Sequence, residues 1–197
     1  MRILFLGASG VLGRATLSHL RGHEVVGTTR SPRRREAIAE LGARAEICDV
    51  YEAGAVERLA RTVTPEVVVN FLTDLAAGPG PANTRIRLEG GPIVTAAARA
   101  AGARRLVVES ISFDTGGASA AAVALETCAL SSGLEALVLR FGRFWGPGTW
   151  TTAAATAPAV HVDEAGRRAA ALILGGSPGT YVIVDDAAAA TRPPPHT

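Results

Sequence analysis

The stretch from Arg2 to Thr16 constrains this chain more than any other. An apolar run, Ile3-Leu4-Phe5-Leu6, passes directly into Gly7-Ala8-Ser9-Gly10-Val11-Leu12-Gly13, and a helical pattern follows from Arg14. A strand, a glycine turn and a helix start, in that order, build a phosphate site. Gly7 allows the tight turn, Gly10 lets the backbone approach a pyrophosphate, and Gly13 lets the helix pack closely on the strand. Ser9, Val11 and Leu12 complete the turn, and the free amide groups and positive end of the helix dipole face the anion. The spacing is GxxGxxG rather than the commoner GxGxxG.

Further apolar runs follow at intervals. Residues 23–29, 44–50, 66–72, 104–113, 133–140 and 180–185 read as strands. They alternate with helical stretches at 32–41, 53–62, 83–101, 118–130 and 165–174. The continuous apolar run at 66–72 reads as a fully buried parallel strand. The alternation predicts an α/β fold, a Rossmann-like doubly wound parallel sheet with helices on both faces. A chain of 197 residues, 48% hydrophobic and 19% charged, suits one domain with a real core. We place that domain at residues 1–186, with a reduced substrate-binding part at 141–186. Residues 187–197, with three consecutive prolines, read as a disordered tail.

Composition excludes several functions. A net charge of +2 is too small to argue for nucleic acid. No run is long enough to span a membrane. The apolar start is too short for a signal peptide and runs straight into the glycine turn. Cys48 and Cys128 sit in apolar stretches without metal-ligand spacing, so they read as reduced core residues and no metal is expected. These features predict a soluble cytoplasmic protein with a small-molecule substrate. The basic residues are all arginine; the chain contains no lysine.

The end of the second strand bears on the choice of dinucleotide. Sites that prefer NAD place an Asp or Glu there for the ribose hydroxyls. Here the sequence reads Thr28-Thr29-Arg30-Ser31, followed by Arg33, Arg34 and Arg35. A guanidinium pairs with a 2′-phosphate that a carboxylate would repel, so NADP(H) is expected in preference to NAD(H), with Arg30 as the contact. The same arginines also suit the solvated first turn of the helix at 32–41.

The segment from Ile3 to Gly13 resembles the opening of the NAD(P)-dependent epimerase/dehydratase group of extended and atypical short-chain dehydrogenase/reductases. The resemblance implies that Asp49 accepts from the adenine amino group and Val50 packs on the ring, although a lone Asp at a strand end also reads as a helix cap. It implies that Phe71, Leu72 and Thr73, following Asn70, approach the ribose and phosphates. Asp74 would then project from the carboxyl edge of the sheet. Arg87 falls where relatives carry a mid-helix Asn. The residue that orients a substrate carbonyl would be Ser110 or Ser112, with Ser112 nearer the expected place. The segment from Phe141 to Gly148 resembles the family's aromatic Gly-Pro-Gly segment beside nicotinamide and substrate. There Phe144 and Trp145 offer flat walls and Arg143 an anion anchor, the alternative being a packed aromatic turn. His161-Val162-Asp163-Glu164 resembles the family's His-Val-Asp-Asp.

One departure limits the chemistry. In the family a Tyr, followed four residues later by a Lys, protonates the oxygen made negative by hydride attack. Glu126 resembles the Glu that follows that motif, which puts the pair near Ala118 or Ser119 and Ala122 or Val123. Three readings remain open. The first is an oxidoreductase using another acid, with Asp74, Asp114 and His161 as candidates beside Ser112. The second is a non-redox cyclase, isomerase or dehydratase on the same fold. The third is a non-catalytic dinucleotide sensor or partner subunit. The Ala-rich helices at 93–101 and 118–130 are expected to pair two copies as a homodimer.

Overall fold

The computed structural model describes residues 1–75 and 80–185. The expected tail at 187–197 and most of the loop after Leu75 lie outside the described residues. Seven parallel strands form one sheet: β1 (Arg2–Leu6), β2 (Glu24–Thr29), β3 (Arg44–Ile47), β4 (Val67–Asn70), β5 (Arg105–Ile111), β6 (Glu135–Phe141) and, omitting a small pair described below, β9 (Gly179–Ile183). Their order is β3-β2-β1-β4-β5-β6-β9, with every neighbouring pair parallel. The chain winds outward from β1 in both directions, so the switch point lies between β1 and β4.

Alternation along the strands feeds two cores. Ile3 and Phe5 face one side, with α1 (Val11–Leu17), α2 (Arg35–Ala39) and α7 (Val162–Gly175) packed over them. Leu4 and Leu6 face the other, under α3 (Ala55–Val63), α5 (Gly91–Ala100) and α6 (Gly117–Leu130). Strands buried on both faces need no polar alternation, which is why they read as unbroken Val and Leu runs.

The structure trims several expected elements. β3 stops at Ile47, before the expected end at residue 50, because the Asp49 side chain accepts the Tyr51 amide at 3.0 Å and turns the chain. β4 stops at Asn70, whose side chain accepts the Leu72 amide at 3.3 Å. The helix expected at 32–41 opens as a 3-10 turn, Pro32–Arg34, before α2. The helix expected at 83–101 is three pieces: α4 (Pro81–Arg85), a π turn at Ile86–Gly90, and α5. Pro92 has no N–H to return to the preceding turn, so the helix widens just ahead of it. The aromatic segment after β6 contains a strand, β7 (Arg143–Trp145), paired in parallel with β8 (Ala159–His161). This small second sheet was not expected from the sequence.

Candidate functional site

The glycine turn sits at the carboxyl end of β1. Gly7 has φ +88°, and a Cβ there would overlap the Phe71 carbonyl at the end of β4. A Cβ on Gly13 would overlap the carbonyls of Gly7 and Ala8, so α1 packs directly on the turn. Gly10 caps α1 through its backbone alone, and no acidic side chain stands in the first turn to occupy the place of a phosphate. The cradle therefore fits a dinucleotide pyrophosphate: its close contacts need hydrogen at Gly7 and Gly13, and its helix end carries no anion of its own.

Ser9 ties this turn to β2. Its hydroxyl donates to Thr29 Oγ1 at 3.0 Å, and the Ser31 amide donates to the same oxygen at 3.1 Å. Arg30 follows directly. Its Nη2 meets Asp74 Oδ2 at 3.3 Å. The Asp74 amide in turn donates to Oδ1 of the buried Asn83 at 3.1 Å. The structure thus brings together two residues, Arg30 and Asp74, that were expected to act separately.

Nearby, Arg85 lies 4.1 Å over the Tyr51 ring and pairs with Glu89. Burial pushes the Tyr51 phenol up, and Arg85, Glu89, Asp74 and Arg30 all act on it electrostatically. Asp49 is committed to the turn at Tyr51, and Val50 is buried in the helix-side core. Phe71 is buried in an aromatic row, edge-on to Phe5 at 5.2 Å and to Phe141 at 6.1 Å, while Leu72 and Thr73 remain partly exposed.

The catalytic candidates separate. Ser110 is fully buried and donates to Glu126 at 2.5 Å, so it supports α6 rather than facing a substrate. Ser112 is different: among the described residues its buried hydroxyl has no partner, and it lines a cavity of about 380 Å³ with Asp114, Ser119, Ala122, Glu126 and Arg140. Asp114 accepts from the Ser119 hydroxyl at 2.7 Å and the Gly116 amide at 2.8 Å. Those bonds, the Ser119 bond foremost, hold its carboxyl below the usual range, as an anion rather than a donor.

His161 caps α7. Its Nδ1 accepts the Asp163 amide at 3.4 Å, Nε2 lies against Gly146, and the ring stands edge-on to Trp145 at 4.5 Å. Asp185 fastens this corner, taking the Trp145 indole N–H at 2.8 Å and the His161 amide. The Arg143 guanidinium lies 4.2 Å over Phe113, and Phe144 packs at 5.4 Å from Phe141. Trp145 and His161 thus pack together on one face of β7 and β8, while Phe144 turns to the other face and joins Phe141.

Sequence reasoning passed over one buried ion pair and one half-buried pair. Arg87 and Glu109, with side chains 4% and 7% exposed, meet at 3.2 and 3.3 Å, and two other nitrogens of Arg87 have no partner among the described residues. Burial pushes the Glu109 carboxyl up against the opposing pull of Arg87. Glu126 takes two bonds from Arg140, at 2.9 and 2.6 Å, besides that of Ser110. The available signal was a Glu inside an otherwise apolar strand together with an Arg in the place of the family Asn. Among the described residues no three His, Cys, Asp or Glu side chains converge as a metal site, and no helix is long and apolar enough to cross a membrane.

A parallel sheet in this order, with a glycine cradle at its switch point, is a Rossmann-like nucleotide-binding architecture. The chain belongs to the NAD dependent epimerase/dehydratase family, whose model matches residues 3–112. It is 37% identical over 180 residues to the 3-diazoavenalumate denitrifying reductase of a Streptomyces species. The match takes in 76% of this chain and 58% of that relative, so the chain spans less than two thirds of its length. Among solved structures it resembles the Bordetella bronchiseptica enzyme WbmH in complex with NAD+, with TM-score 0.77 at 18% identity over 93% of this chain and 75% of that one. It also resembles the Thermus thermophilus UDP-glucose 4-epimerase in complex with NAD, with TM-score 0.76 at 20% identity over 93% and 78% of the respective chains.

Proposed function

We propose that this chain is a dinucleotide-dependent reductase of a small molecule, preferring NADP(H) to NAD(H), whose reaction needs no tyrosine proton donor. The observation that carries the reading is an intact glycine cradle in a chain whose helix α6 offers alanine and serine where the family's Tyr and Lys are expected. Gly7, Gly10 and Gly13 would hold the pyrophosphate, and Arg30 the 2′-phosphate. Ser112, Phe144 and Trp145 would border the reacting end. A small-molecule natural product is the substrate class favoured by the Streptomyces relative.

Reduction of a carbonyl leaves an alkoxide that must be protonated. Reduction that expels a neutral leaving group does not. The Streptomyces relative is named for a reductive denitrification of a diazo compound, and a reaction of that kind supports the present reading. A bound reduced nicotinamide would supply hydride. An aryl diazonium cation that gains hydride and loses dinitrogen becomes the parent arene, with atoms and charge balanced and no proton donor required. The chain's task is then orientation and exclusion of water. The Ser112 hydroxyl, without a partner among the described residues, would be free to hydrogen-bond, and Trp145, edge-on to His161, would supply an apolar face.

The test is oxidation of NADPH by the purified chain, with panels of aryl diazonium salts and of ketones. Turnover with diazonium salts, and none with simple ketones, is expected. Product formed without cofactor would favour the non-redox reading, and tight dinucleotide binding with no turnover on either panel would favour the sensor.

A further inference from the structure

We propose that Asp74 narrows the NADP(H) preference of this site by competing with the 2′-phosphate for Arg30. The inference rests on the NADP(H) reading and assigns to Asp74 a role other than the proton donor first expected of it.

Placement is the first argument. Arg30 follows β2 and Asp74 follows β4, and in the sheet these strands flank β1 on either side. The Arg30–Asp74 pair therefore bridges the carboxyl end of β1, over the glycine turn. A dinucleotide seated in the turn meets this bridge with its adenosine end.

The second argument is asymmetry. Asp74 is held in place through its amide by the buried Asn83, and its side chain is 23% exposed. Arg30 is 51% exposed and reaches Asp74 through a single nitrogen. An exposed single-contact pair is weak. A phosphate dianion offers a guanidinium two parallel charge-assisted bonds, which are stronger. The 2′-phosphate thus exchanges with Asp74, and Arg30 swings while Asp74 stays. The cost of that exchange, and the repulsion between Asp74 and the phosphate, fall on NADP(H) alone. A ribose hydroxyl makes no such demand, so NAD(H) binds with the pair intact. Asp74 narrows a preference that Arg30 creates.

The experiment is calorimetric titration of NADPH and NADH into the full chain and into Asp74→Asn, Asp74→Glu, Arg30→Ala and the Asp74→Asn/Arg30→Ala double variant. Asp74→Asn is expected to tighten NADPH about two- to fivefold, the range set by an exposed ion pair, with NADH changed less than about twofold. Asp74→Glu keeps the charge and should keep the native ratio. In the Arg30→Ala background the gain from Asp74→Asn should shrink. An unchanged NADPH-to-NADH ratio in Asp74→Asn, or equal tightening of both, overturns the inference. If Arg30→Ala still weakens NADPH selectively in that case, the cofactor reading stands without it. Failure of the full chain to bind either dinucleotide would sink both.

Discussion

Gly13 and the Arg87–Glu109 pair show how single residues hold this site in opposite ways. Gly13 matters for what it lacks: a methyl there would collide with backbone carbonyls, which cannot move aside without opening the turn. Gly13→Ala is expected to cost about 1–3 kcal/mol of stability in urea unfolding, the range for overpacking, and to abolish dinucleotide binding. The Arg87–Glu109 pair is a buried charge couple, two of whose Arg87 nitrogens have no partner among the described residues. Removing one partner strands the other, so Glu109→Leu alone should cost about 3–5 kcal/mol, while Arg87→Met with Glu109→Leu should recover most of that loss. Urea midpoints of the three proteins decide it. Sequence pattern could not separate Ser110 from Ser112, because residues two apart on a strand face the same side. What separates them is the Glu126 carboxylate, which reaches Ser110 from a helix 16 residues further on. Arg30 was legible as a strand-end cation and Asp74 as a carboxylate at the edge of the sheet, but their pairing across 44 residues was not.

Among the elements, α6 is fastened to the sheet through one carboxylate. Glu126 joins it to β5 through Ser110 and to β6 through Arg140. Burial alone would push that carboxyl up, but the hydrogen bonds from Arg140 and Ser110 outweigh it and hold it below the usual range. A carboxyl lowered on folding contributes stability above its unfolded pKa, and loses it as pH falls through the folded value. Thermal melts should therefore show Glu126→Gln less stable than the native chain at neutral pH, by about 1–3 kcal/mol, with the two curves converging in acid. Parallel curves across the whole range would contradict this. The strands and most helices were legible because burial on both faces and helical periodicity leave plain traces. The β7–β8 pair was not, since three-residue strands carry no period. Its geometry comes from Gly142, which sits against the Ala159 backbone, and from Asp185, which binds Trp145 and His161. The π turn was equally hidden, because Pro92 marks a helix start and a widened helix alike.

At the scale of the molecule, the apolar residues left exposed on the π turn, α5 and α6, namely Leu88, Ile93, Val123 and Leu130, support the proposal that a second copy packs there. Val123, 56% exposed, is the natural place to test it. Val123→Arg should turn a dimer in light scattering into a monomer while leaving the melting temperature nearly unchanged; a native chain already monomeric at micromolar concentration would rule the dimer out. The fold was legible as a whole because a strand, a glycine turn and a helix at the start of an alternating chain admit few topologies. The reaction was less so, because α6 carries alanine and serine where the resemblance to the family leads one to expect its Tyr and Lys. The central claim is that the cradle still binds a dinucleotide, and calorimetric titration of NADPH and NADH into the native chain and Gly10→Asp tests it most directly. The account predicts micromolar binding of NADPH, weaker binding of NADH, and loss of both in Gly10→Asp. Absence of binding by the native chain, or equal binding by Gly10→Asp, would contradict it.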